Sequence, residues 1–371
     1  MRRLLAALSL VLLPALVPAD EKKKEEKPAA NTLTKEEAQK GWLLLFDGET
    51  TFGWKIDGEA KVEDGALVLG GKKKTTAEPT ARFRLELIEF VPRMEGDERP
   101  AIVGRGWDVM VGGKEKVRGG KTSMGPIDPG DGPLFRITVP AGSKLYLRDV
   151  KGLPALETKL FDGKSLDGWK AYKGDKKREK SKFSVTKDGW LNVKDGPGDL
   201  QTEKKYDDFV LQLECISNGK HLNSGIFFRS LPGEYQQGYE AQIRNEFKDT
   251  ASQKYVVEEY DAKTNKLTGK KEVMSPAVDY GTGAIYRRVP ARKQVAKDGE
   301  WFTMTVVARG RHLATWVNGV QQVDWTDNRP EGKNARVGYY GDAGCISIQG
   351  HDPTTDLSFR NIRISTLPRP K

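Results

Sequence analysis

The chain has 371 residues, 37% of them hydrophobic and 31% charged, with 40 Gly, 19 Pro and a formal net charge of +10. That length accommodates two domains, each able to bury a core without covalent staples. The charges are mixed rather than blocked and no nucleic-acid-binding motif occurs, so the basicity reads as a solvated surface with some attraction to acidic glycans, and nucleic acid is not an expected partner.

From the N-terminus, residues 1–19 hold two arginines, the apolar run LLAALSLVLLPALV and the small-residue end Val17-Pro18-Ala19, the layout of a cleavable secretory signal. The expected location is secreted or periplasmic. The apolar run is too short for an ordinary transmembrane span and no comparable run follows, so no integral membrane segment is expected. Removing Arg2 and Arg3 with the leader leaves 60 basic against 52 acidic residues. Residues 20–40 form a Lys/Glu-rich linker, expected to be disordered for much of its length. Near its end, Thr34 and Glu37 are spaced as a capping box, which predicts a helical turn over Lys35–Lys40.

An internal repeat follows. FDGETTFGW at 46–54 and FDGKSLDGW at 161–169 match at a constant offset of 115, and LYLRDV at 145–150 echoes LSFRNI at 357–362. The repeat predicts a shorter domain at 41–154 and a longer one at 155–371. Short apolar or alternating segments bounded by Gly, Asp and Asn, such as 66–69, 82–88, 135–139, 210–216 and 303–308, read as strands. The fold class expected is all-β, two β-sandwich domains of jelly-roll type, the first a shortened copy. Trp54 and Trp169, each closing the same FDG turn, read as core anchors. Cys215 and Cys345 read as free, buried thiols rather than a bridge, and neither Cys nor His shows zinc spacing.

The stretch HLNSGIFFRSLPGEYQQGYEAQIRN at 221–245 reads as two strands joined by a Pro232-Gly233 turn. Asn223, Gly225, Phe227 and Arg229 share one parity, while Glu240, Gln242 and Arg244 face away from Tyr239, Ala241 and Ile243. Arg229, Glu240 and Gln242 are therefore expected to converge. A carboxylate, a guanidinium and an amide on one face suit a sugar, although a solvated sheet face shows the same alternation. His351 shares parity with Ser347 and Gln349 at a strand end. The span 246–279 is expected to be a hairpin insertion or a lid, with a turn near Thr264-Asn265. Neither a GxSxG elbow nor the Glu-x-Asp-x-x-Glu pattern of laminarinases is present, which argues against a two-carboxylate glycosidase.

The strings NSGIFFR at 223–229, GYEAQI at 238–243, GAIY at 283–286, IQGHD at 348–352 and FRNIRI at 359–364, after LFDGKSLDGW at 160–169, resemble the 3-keto-disaccharide hydrolase family. The resemblance covers 160–364 and implies a concanavalin A-like lectin/glucanase fold. It also implies cleavage of 3-keto-glycosides: a ketone at C3 acidifies the C2 proton, a base removes it, the enolate expels the C1 oxygen, and water adds back. Glu240 or His351 is then the base and Arg229 the electrostatic partner of the ketone oxygen, with Asn223, Gln242, Tyr286 and Gln349 as the wall of the site. A divalent metal held by Glu240 and His351 would serve the ketone equally. The implied partner is an oxidised 3-keto saccharide supplied by a glycoside 3-oxidoreductase. The alternative is a non-catalytic, lectin-like carbohydrate-binding module.

Overall fold

The computed structural model describes residues 29–111 and 121–368. The leader at 1–19 and the first part of the polar linker lie outside the described residues. The linker's remainder is fastened to the first domain. Asn31 is buried, exchanges hydrogen bonds with Asp149 and donates to the Gly65 carbonyl. The Lys35–Lys40 helix starts at the capping box that the sequence predicts: the Thr34 hydroxyl accepts the Glu37 N–H, and the Glu37 carboxylate accepts the Thr34 N–H. Composition missed this order because side-chain hydrogen bonds and the Glu37–Lys151 ion pair hold it, not apolar burial.

The rest is β. The first sandwich pairs Trp54–Asp57, Thr75–Pro79, Arg136–Val139, Ala101–Gly104 and Trp107–Met110, in that spatial order, against a sheet ordered Ala60–Glu63, Ala66–Leu69, Lys144–Pro154, Leu85–Glu95 and Thr122–Met124. The second repeats both orders. Its five-stranded sheet runs Trp169–Ala171, Gly198–Thr202, Cys345–Gly350, Ser224–Ser230, Tyr239–Ile243. The facing sheet runs Lys182–Val185, Leu191–Lys194, Asp356–Thr366, Phe209–Ser217 and continues with Phe302–Arg309, His312–Val317 and Val320–Thr326. Phe302–Arg309 takes the place of Thr122–Met124, so the two further strands His312–Val317 and Val320–Thr326 and the hairpin Gln253–Tyr260/Leu267–Ser275 account for much of the second copy's greater length.

The repeated FDG…GW strings are one local device used twice. Asp47 accepts the N–H groups of Glu49 and Thr50, and Asp162 those of Lys164 and Ser165. Nine residues on from the carbonyl that they meet, just past the end of a short strand, Trp54 and Trp169 donate their indole N–H to Leu45 and Leu160, each at 2.7 Å. Both indoles are buried core anchors.

The first domain covers the back of the second. Val210, Val307, Ala314 and Trp316 point out of the second sandwich and join the core of the first. Trp316 donates to the Leu44 carbonyl at 3.0 Å and meets Phe83 edge-on. Burial on both faces explains the unbroken apolar run at 306–308. The five-stranded sheet on the far side of the second core contributes no residue to the core of the first domain. Cys215 and Cys345 are free and buried.

Candidate active site

The two strands of the 221–245 stretch pair as expected, with Phe227 opposite Glu240 and Gly225 opposite Gln242. Ile226, Ala241, Leu200 and Ile348 fill the core, so the alternate residues form the outer face. One row across it reads Gln201, Ser347, Phe227, Glu240, and in the next Asp199 pairs with Gln349 as Gly225 pairs with Gln242. The loop 231–238 turns at Pro232-Gly233 and folds back over this floor. Gln201 donates to the Glu234 carbonyl and accepts the Gly233 N–H, and Asp199 Oδ2 accepts the Gln236 N–H at 3.1 Å.

Glu240, only 4% exposed, is held by Arg336, whose Nη2 donates to Oε2 at 2.9 Å while its Nε donates to the Gln236 carbonyl. The carboxylate lies over Gly225: a Cβ there would sit 2.8 Å from Glu240 Oε1. Burial raises Glu240 above the usual carboxylate range, against the pull of Arg336, His351 and Arg287. Burial pushes Asp199 up to about 7; the Glu240 charge adds to this, while the Gln236 N–H, Arg336 and Arg178 oppose it. Four buried polar atoms of this region, Asp199 Oδ1, Ser347 Oγ, Gln349 Oε1 and Asn223 Oδ1, have no protein partner. Each such atom costs about 1–3 kcal/mol when left dry. Three of them are carbonyl or carboxyl oxygens, which call for a ligand rich in hydroxyl donors.

The registers put Glu240 and Gln349 on one face, and His351 is close enough for its charge to act on Glu240, while Asn223 immediately precedes the Ser224–Ser230 strand of that sheet. His351 Nδ1 is on the Asp352 carboxylate at 2.8 Å, leaving Nε2 without a partner among the described residues. Tyr286 adjoins the site through its N–H, which donates to the Glu240 carbonyl, and its ring packs on Tyr280. Gln242 is on the right face but is committed to the protein: its amide N–H donates to the Asp279 carbonyl and its oxygen accepts the Ile243 N–H. Arg229 is not in the site. The register shifts between Phe227 and Ser230, and Arg229 adopts φ 47°, so its side chain leaves the outer face. It is fully buried, donating to the carbonyls of Asp207, Gly310 and Tyr340 and to Asp208 Oδ1 at 2.8 Å. The guanidinium at Glu240 is that of Arg336. Among the described residues no group of three or more His, Cys, Asp or Glu is placed to hold a metal ion, and Glu240 and His351 engage Arg336 and Asp352 respectively.

Sequence reasoning missed Asp199, Ser347 and Arg336. The alternation Asp199-Leu200-Gln201 carried a signal for the first, since the flanking polar residues share the parity of a strand's outer face. Arg336 comes from a loop and gave none. The matched registers also show why the copies differ. Thr76 occupies the position of Asp199 and Arg136 that of Ser347, where Arg136 pairs with Glu78, while Asp108 takes the place of Glu240 but is exposed. The first copy lacks the buried pair of carboxyl groups.

Two results follow from this packing. Gly225→Ala is compatible with its strand but pushes on the Glu240 carboxylate, so turnover is expected to fall about 10- to 100-fold with little change in melting temperature; wild-type kcat in the variant would show that Glu240's placement is immaterial. The second concerns pH. Because the folded value of Asp199 exceeds the ordinary 3.8, the folded chain keeps a proton that the unfolded chain has lost between about pH 4 and 7, and this group's contribution to stability falls as pH rises through that window. The melting temperature of Asp199→Asn should draw ahead of wild type from about pH 4 to 7 and keep a constant lead above it, whereas parallel curves would contradict the shift.

A family model described as a 3-keto-alpha-glucoside-1,2-lyase-like domain matches residues 157–365. Among solved structures, a candidate glycosyl hydrolase from Parabacteroides distasonis is 24% identical, with 57% of this chain and 94% of that chain covered and a TM-score of 0.42. A second candidate glycosyl hydrolase from the same organism is 28% identical, with 58% of this chain and 85% of that one covered and a TM-score of 0.38. The carbohydrate-binding module CBM66 of Bacillus subtilis is 12% identical, with coverage of 54% and 96% and a TM-score of 0.33. No curated protein matches the sequence.

Proposed function

Since the chain belongs to the 3-keto-alpha-glucoside-1,2-lyase-like domain family, we propose that it is a secreted enzyme that cleaves 3-keto-glycosides by elimination and hydration, with Glu240 as the base. The observation that carries this reading is a buried carboxylate placed over Gly225 beside buried acceptor atoms that no protein group satisfies. Glu240 Oε2 is anchored on Arg336, which leaves Oε1 to take the C2 proton; a carboxylate raised by burial is a better base than one in water. The enolate oxygen developing at C3 takes a hydrogen bond from Nε2–H of a doubly protonated His351, whose Nδ1–H donates to Asp352 and so fixes the ring. Asn223 and Gln349 accept from the sugar hydroxyls, and Tyr286 walls the Glu240 side. The first domain supports the second by covering the apolar back of its larger sheet and takes no part in the chemistry. A glycoside 3-oxidoreductase acts upstream, since the substrate must carry the ketone before it arrives.

The test is release of nitrophenol from a nitrophenyl 3-keto-glucoside by the full chain, with the unoxidised glucoside as control. Turnover of the keto compound alone is expected. Binding of either compound without release would make the protein a lectin-like module and end the enzymatic reading.

A further inference from the structure

Asp199 stands on the same outer face as Glu240 but in a different chemical state. Glu240 is bonded to a guanidinium, whereas Asp199 forms no ion pair among the described residues and accepts one backbone N–H, that of Gln236, on Oδ2. With Oδ2 taken by a donor, a proton on this carboxyl rides on Oδ1. That oxygen is buried and has no protein partner, and Gln349, its register partner on the neighbouring strand, carries an equally unpartnered side-chain oxygen. The face thus holds one carboxylate bonded to a cation and one carboxyl free of any bonded cation, the arrangement of a base and an acid. Tyr172 donates its N–H to the Asp199 carbonyl, and its ring lies 5.5 Å from that of Tyr235, making an aromatic wall on the Asp199 side.

We propose that Asp199 Oδ1 donates the proton to the departing glycosidic oxygen, with the leaving group seated against Tyr172 and Tyr235. The inference rests on the 3-keto-glycoside reading and extends it. In the elimination, Glu240 takes the C2 proton and the electron pair forms the enolate. As the C3 carbonyl is restored, the C1–C2 double bond forms, the C1–O bond breaks, and the Asp199 proton passes to the leaving oxygen to give the alcohol. In the hydration, Asp199 recovers a proton from the water whose oxygen bonds to C1, and Glu240 returns its proton to C2. Both groups end as they began, and no external oxidant or reductant is needed.

The experiment compares Asp199→Asn with wild type on two 3-keto-glucosides, one with a nitrophenyl leaving group that departs without a proton and one with an alkyl leaving group that needs it. The variant is expected to lose about 10²–10⁴-fold on the alkyl substrate and far less on the nitrophenyl one. Equal losses on both, or none on either, would overturn the role of proton donor. Wild type inactive on both would instead refute the underlying reading. Should the variant not fold, a series of wild-type substrates decides: rates that depend weakly on leaving-group acidity support the donor, and a steep dependence rejects it.

Discussion

Glu240→Gln is expected to abolish turnover of 3-keto-glycosides, with a loss of about 10²–10⁴-fold from the missing base. Glutamine has the same shape and can still fill the space over Gly225, so the variant should fold, melt near the wild type and retain binding. The ion pair with Arg336 is lost, but the amide oxygen of glutamine can still accept from Nη2, and Arg336 keeps the Gln236 carbonyl through Nε. The loss should therefore fall on kcat with KM little changed, and on nitrophenyl and alkyl substrates alike, unlike the selective loss expected for Asp199→Asn. Activity within tenfold of wild type would remove Glu240 from the chemistry. A base also ignores chelators, so inhibition of the wild type by a chelator would move Glu240 to the role of metal ligand.

Arg229→Ala should cost about 3–5 kcal/mol of stability, because it strands a buried charge. Asp208 is 2% exposed, and its Oδ1 accepts both Arg229 Nη2 and the Gly310 N–H. The same guanidinium also satisfies three carbonyls, of Asp207, Gly310 and Tyr340, that come from separate segments. Arg229→Lys keeps the charge but cannot point donors along all those directions, so it should be destabilised too, though less. Urea denaturation measures both. Neither variant should change kcat in the fraction that remains folded. A stable Arg229→Ala protein that had lost turnover would return Arg229 to the active site.

How far the site was legible follows from these cases. The period-two alternation put Asn223, Glu240, Gln242, Gln349 and His351 on one side of their strands. The observed registers agree for Glu240, Gln242 and Gln349, since parity is a local property of an extended chain, while Asn223 and His351 fall just beyond the ends of theirs. Gln242 shows the limit of the argument: a residue on the correct face can still be consumed by a neighbouring loop, here the Asp279 carbonyl. Arg229 shows a second limit, because a positive φ at a single residue reverses parity from that point on.

By itself the sequence determined the all-β class, the capped turn at Thr34 and the two FDG turns with their Trp anchors, because each depends on hydrogen bonds or periodicity within about ten residues, and the duplication, because its strings recur at one offset. For the span 246–279 the sequence left a hairpin or a lid open with a turn near Thr264-Asn265; the hairpin Gln253–Tyr260/Leu267–Ser275 forms, and Asn265 in its turn has φ 52°. Only the tertiary structure decided which charges meet. Asp199 and Glu240 are 41 positions apart on strands separated by two others, and they share a face because the Cys345–Gly350 strand, more than 100 residues later, inserts between them. Arg336 reaches Glu240 from a loop with no periodic signal, and Arg229 is drawn away by Asp208 at a bulge. Strand order and bulges are set by which cores can close and which buried charges can be paired, and these are properties of the whole chain rather than of any window along it.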